Sequence, residues 1–156
     1  MRGIVIEEGE QFYTDLKGIL NMLGSSVTDY NWLISGYECY PQDSDISKIF
    51  KGNPVIISHS EMYRILEKEN FQWIWGVFSA IKGDISKEEI FSHPIPFAEG
   101  NSNIWKVPVS IQHPLAEIEI VAWDSSESIV ICKDDALIDS ISKCNTYSIT
   151  MKEYID

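Results

Sequence analysis

Phe71-Gln72-Trp73-Ile74-Trp75-Gly76-Val77-Phe78-Ser79-Ala80-Ile81 is the most apolar stretch of the chain. In strand geometry Phe71, Trp73, Trp75, Val77 and Ile81 fall on one face, and Ile74, Phe78 and Ala80 on the other. A strand apolar on both faces belongs in the middle of a sheet covered on both sides, or is covered by a partner. Trp73 and Trp75 are expected side by side in the core. The run from Trp73 to Ile81 is far shorter than the roughly 20 residues a membrane-spanning helix needs.

Upstream, Asn53 to Ser58 has strand character. Ser58 and Glu61 stand at the capping-box spacing, which predicts a helix with Met62, Ile65 and Leu66 buried and Asn70 at its end. Pro41 to Gly52 reads as polar and irregular. Asp29 to Tyr40 reads as extended, with Trp32 and Ile34 on one face and a bulge or turn at Gly36. Gly3 to Glu7 is a first strand. A helix is expected from about Glu10 to Leu23, its stripe formed by Phe12, Leu16, Ile19, Leu20 and Leu23, with Gly24 as the stop.

Downstream, Gly83-Asp84 breaks the strand, and Ser86 with Glu89 predicts a short helix. Ser92 to Asn103 reads as a long loop punctuated by Pro94, Pro96 and Gly100. Ile104 to Ile111 is expected as an edge strand, because Pro108 cannot donate to a ladder. Ala116 to Asp124 alternates, with Ile118, Ile120 and Ala122 one way and Glu117 and Glu119 the other. Asp124 to Glu127 is a tight hairpin connection to a return strand, Ser128 to Cys132. A helix should start at Asp134 with Leu137, Ile138, Ile141 and Cys144 on its stripe, and a last one should span Met151 to Ile155. The expected fold is α+β: one domain over residues 1–156, a mixed or mostly antiparallel sheet and three main helices.

The chain has 156 residues, ordinary for one domain, and a net charge of -12. Successive thirds hold eight, seven and nine acids against four bases each, so the charge is spread rather than gathered in a tail. Such a field repels phosphate backbones and argues against nucleic-acid binding, while it attracts a basic protein partner. Cys39, Cys132 and Cys144 are isolated, which is neither a disulfide framework nor a zinc site and fits a reducing compartment. No signal peptide is visible, so a cytoplasmic location is expected, with no membrane association.

Met1-Arg2-Gly3-Ile4, Tyr30-Asn31-Trp32-Leu33-Ile34 and the unit running from Ala122-Trp123-Asp124-Ser125-Ser126 through Asp134-Asp135 to Ile141 carry a resemblance. Together they resemble a small uncharacterised family from Gram-positive bacteria, a domain of unknown function, over nearly the whole chain. The resemblance implies a bacterial cytosolic protein. Its motifs are aromatic and turn residues, and the family brings no catalytic residues to carry over.

Signals for chemistry are sparse. His59, His93 and His113 lie in separate segments without metal-ligand spacing. Ser58-His59-Ser60 lacks a nucleophile elbow, and a helix cap explains Ser58. The cysteines lack the electropositive setting of a reactive thiolate. Glu117 and Glu119 stand about 7 Å apart on one strand face, within glycosidase range, but a solvated strand face produces the same spacing. No phosphate-binding loop is present. The reading is therefore a non-catalytic protein without cofactor or metal. Trp105 and Trp123 are the candidate exposed aromatics, beside Asp124, with Glu117 and Glu119 as further candidate binding residues for a basic, partly apolar partner. The alternative is a small-molecule pocket or enzyme with its site near residues 92–103, where His93 or His113 would face the ligand. A third reading is self-association through the strand at 71–81. Oligomeric state is not legible.

Overall fold

The computed structural model describes residues 1–7 and 14–156. Its strands are β1 (Arg2–Ile6), β2 (Tyr30–Cys39), β3 (Val55–Ser58), β4 (Trp73–Lys82), β5 (Ala116–Trp123), β6 (Glu127–Cys132) and β7 (Ser148–Thr150). They form one sheet in the order β3-β2-β4-β5-β6-β1-β7, and every neighbouring pair is antiparallel. The helices are α1 (Leu16–Leu23), α2 (Ser44–Ile49), α3 (His59–Lys68), α4 (Lys87–Phe91), α5 (Asp135–Cys144) and α6 (Met151–Ile155). The fold class is α+β, as the hairpin-linked strands require. β4 lies inside the sheet with both edges paired, to β2 and to β5, so it offers no edge to a second subunit.

The front face of the sheet is covered by helices. Leu16, Ile19, Leu20 and Leu23 of α1, Met62, Ile65 and Leu66 of α3, and Ile138 and Ile141 of α5 pack on Ile4, Ile6, Trp32, Ile34, Phe78, Ile118, Ile120 and Val130. Each helix start is tied off by a side chain that accepts an otherwise unpaired backbone N–H: Asp15 for α1, Ser58 for α3 and Asp134 for α5. The back face is covered differently. Its residues Val5, Val77, Val121, Ile129 and Ile131 lie under Ala98, Ile104 and Met151, supplied by the segment 92–115 and by α6. Leu33, Ile81 and Ala116 lie under Ile90 of α4.

Several sequence expectations are corrected. α1 begins at Leu16, with Asp15 as its cap and Thr14 at φ 52, and the expected start near Glu10 lies outside the described residues. Phe12 lies outside the described residues. Pro41 to Gly52 contains α2, capped by Asp43, which accepts from the N–H groups of Asp45 and Ile46. Only Ile46 of this short helix is buried, too little to make a periodic stripe. Ile104 to Ile111 is not a strand. A 3-10 turn spans Ser102–Trp105 and the chain then stays irregular, while the outer strand on β1 is Ser148–Thr150. Cys144 is exposed at the end of α5 rather than part of its stripe.

The sharpest correction concerns β4. Trp73 and Trp75 do not share a face. Trp75 pairs with Glu38 but Trp73 pairs with Cys39, so β4 advances two residues where β2 advances one. Ile74 is the extra residue, and the alternation inverts across it. Trp73 joins Phe71, Phe78 and Phe50 in the front core, whereas Trp75 stays with Val77 on the back. A second irregularity lies just beyond it in β2, between Ser35 and Glu38. Gly36 sits there with φ 52, and a Cβ on it would stand 3.2 Å from the Phe97 backbone of the covering segment. Glycine therefore serves both the backbone angle and the close approach.

Gly36→Ala is expected to lower stability by about 1–3 kcal/mol, the order of a strained positive-φ residue. Urea unfolding measures this as a lower midpoint with an unchanged slope. An unchanged midpoint would show that the bulge and the Phe97 backbone relax freely.

Candidate interaction site

Four aromatic rings meet at the hairpin end of the back face. Trp75 comes from β4, Trp123 from the end of β5, Trp105 from the 3-10 turn and Tyr154 from α6. Trp123 packs edge-on against Trp75 at 5.0 Å and against Trp105 at 5.2 Å between centroids. Trp105 stacks on Tyr154 at 5.4 Å. All four are half-buried. Edge-to-face and offset-stacked geometries satisfy the ring quadrupoles, so the cluster is a preformed surface rather than a loose patch.

Acids surround these rings. Glu127 is directly opposite Trp123 across the β5–β6 ladder. Its carboxylate accepts the Tyr154 hydroxyl at 3.1 Å and also accepts from Ser126. Burial pushes the Tyr154 hydroxyl up to about 12, with Glu127 and Glu7 adding to the effect. Glu7 thus faces the same phenol from the end of β1. Asp124 is exposed at the hairpin turn with φ 48. Among the described residues, the ion pairs present involve none of Glu7, Asp124 and Glu127. The base nearest the rings in sequence, Lys106, donates to Asn103 at 2.6 Å.

The expected site residues divide. Trp105, Trp123 and Asp124 come together, joined by Trp75 and Tyr154. Glu117 and Glu119 lie toward the start of β5, away from them. Glu117 is half-buried and pairs with Lys133 at 3.7 Å. Glu119 is not on a solvated face: it is fully buried under the covering segment. Its carboxylate accepts from the Gln112 backbone N–H at 2.9 Å and faces the Gln112 side chain at 3.4 Å. Gln112 in turn accepts from the Phe97 N–H and from the Asn101 side chain, each at 3.1 Å. A proline-broken segment cannot join the ladder, so these side chains satisfy the backbone instead. Ser79, opposite Glu119 on β4, has a buried hydroxyl without a partner among the described residues.

His113 does not face an open site. His113 is fully buried. Its Nδ1 accepts from the Leu115 N–H at 3.2 Å, which leaves Nε2 to donate to the Ile90 carbonyl at 2.9 Å. Both nitrogens are used and the ring is neutral. His93 packs edge-on against it at 5.3 Å. His59 likewise accepts the Trp32 indole N–H on Nδ1, at 3.2 Å. No group of three or more His, Cys, Asp or Glu among the described residues is arranged to hold a metal ion. No helix among them is long and apolar enough to cross a membrane.

Tyr154 and Glu7 were missed from sequence because they are brought to Trp105 from opposite ends of the chain. Trp75 was missed because the bulge at Ile74 separates it from Trp73. Glu127 alone had a legible signal, its place across the hairpin from Trp123.

Burial pushes Glu119 up to about 7 from 4.5, and the bonds from Gln112 and His113 only partly offset this. The folded protein then holds a proton that the unfolded chain loses first. The contribution to stability is complete below the unfolded value and is lost as pH rises through about 7. Measured against Glu119→Gln, wild-type stability is expected to fall by about 3 kcal/mol between about pH 5 and pH 8. His59 and His113, held below their ordinary values chiefly by burial, tilt the profile the other way and cancel in the comparison. Denaturant unfolding across that range decides it; a constant difference between the two proteins would show that Glu119 takes up no proton on folding.

Comparison with family models, with curated proteins and with solved structures found no match to this chain.

Proposed function

We propose that this is a non-catalytic binding protein that engages a basic protein partner through the acidic, aromatic surface at the hairpin end of the sheet. The observation that carries the reading is the aromatic cluster of Trp75, Trp105, Trp123 and Tyr154 with Glu7, Asp124 and Glu127 beside it and, among the described residues, no cation paired to them. Half-buried tryptophans and tyrosines are rigid anchors with large contact area. Carboxylates not already ion-paired lower the cost of docking a base and speed its approach in a field of this sign. The reading carries with it a location inside a bacterial cell, which the three free cysteines support.

The pocket alternative loses its motivation near residues 92–103. His113 and Gln112 there are spent on holding the covering segment to the sheet. Glu119 is spent likewise and is no part of the proposed surface, so a charge reversal at Glu119 would test folding rather than binding.

A tagged protein incubated with lysate is expected to retain a basic protein at about 50 mM salt and release it at about 500 mM. Trp123→Ala or the pair Asp124→Lys with Glu127→Lys is expected to abolish retention while leaving the thermal midpoint within a few degrees. Equal retention by wild type and both variants would refute the surface.

A further inference from the structure

We infer that the anchor read by this surface is an arginine side chain, its guanidinium laid on the Trp105–Trp123 aromatic cluster and forked onto the Glu127 carboxylate. The inference rests on the reading of the site as a surface for a basic partner, and it names the group that the surface selects. Three features distinguish arginine from lysine here. First, the acceptors and the rings are one unit: Trp123 and Glu127 are cross-strand neighbours, Glu127 holds the Tyr154 hydroxyl, and Tyr154 stacks on Trp105. A ligand that meets the rings therefore meets the carboxylate. Second, Glu127 already takes the hydroxyls of Tyr154 and Ser126, which fixes its plane. A carboxylate oxygen with lone pairs still open suits the parallel donors of a guanidinium, and its fixed plane favours a fork over a point charge. Third, the rings are half-buried and pack against one another, so a cation that meets them is partly withdrawn from water. A weakly hydrated planar cation sheds water there at lower cost than a compact ammonium and stacks on the ring faces as it does so.

Glu7 and Asp124 act alongside. Glu7 faces the Tyr154 hydroxyl from β1, and Asp124 stands exposed one residue beyond Trp123. With Glu127 they leave a local excess of negative charge that any cation relieves. Charge alone would accept lysine equally, so the discrimination comes from the rings.

The test uses the full chain and three labelled peptides of about twelve residues, alternating glycine with arginine, lysine or citrulline. Fluorescence anisotropy is read at about 50 mM salt, where screening is modest. The arginine peptide is expected to bind about tenfold more tightly than the lysine peptide, a difference of about 1.4 kcal/mol. The uncharged citrulline peptide should not bind. Trp105→Ala should erase the preference for arginine, Trp105→Phe should restore part of it, and Glu127→Gln should weaken arginine more than lysine. If Trp105→Ala fails to fold, Trp105→Phe and Asp124→Asn carry the comparison, the first lowering the preference and the second weakening both cations alike. Equal affinity for arginine and lysine, both lost in Glu127→Gln, would overturn the arginine anchor and leave the acidic surface standing. Absence of binding by either cationic peptide, or binding that no variant alters, would overturn both.

Discussion

Everything in this structure follows from a central strand that must be covered twice. β4 carries large apolar side chains toward both faces of the sheet, and a strand of that kind is stable only where both faces are removed from water. The front is covered in the usual way by helices with one apolar stripe each. The back is covered by a chain segment with little regular structure, whose fully buried apolar side chains there, Ala98 and Ile104, are few, while Trp105, Val109 and Ile111 are only partly buried against the same core. Such a cover cannot be held by hydrophobic area alone. It is held by polar side chains: Ser35 donating to the Pro96 carbonyl at 2.8 Å, Gln112 bridging Phe97 and Asn101, and Glu119 under Gln112.

That arrangement explains why chemistry-bearing residues near the middle of the back face are so occupied. Buried polar groups cost free energy unless bonded, so a cover built this way uses most of the donors and acceptors that it brings inside, the Ser79 hydroxyl being an exception among the described residues. His113 uses both ring nitrogens and Glu119 takes the Gln112 N–H. What resembles a catalytic inventory in composition is a fastening in structure. Free polar chemistry is left at the hairpin end, where the cover supplies Trp105 and α6 supplies Tyr154. There the rings are only half-buried, and among the described residues the carboxylates have no counter-ion.

The inversion at Ile74 connects the two halves of this picture. Without the extra residue, Trp73 and Trp75 would lie on one face, and either the front core would lose its central indole or the back cluster would lose its base. With it, Trp73 fills the front among Phe50, Phe71 and Phe78, and Trp75 is free to support Trp123. One irregularity thus provides both a core and a surface from two tryptophans separated by a single residue.

The α+β class, the apolar stripes of α1, α3 and α5, the caps at Ser58, Ser86 and Asp134, the stop at Gly24 and the bulge at Gly36 were determined by the sequence itself. Each rests on local periodicity or on backbone requirements that a few neighbouring residues settle. α2 and β7 were not legible, since each buries too few residues to impose a period. The β4 inversion depends on the register against β2, which alternation within β4 cannot report. Trp105, Trp123 and Asp124 could be nominated from residue type and hairpin position. Their joining to Tyr154 and Glu7, and the withdrawal of Glu119 into the interior, were decided only by tertiary structure. Whether a carboxylate on an alternating strand meets water or protein depends on what lies over the sheet, and here that cover is an aperiodic segment whose path no local pattern encodes.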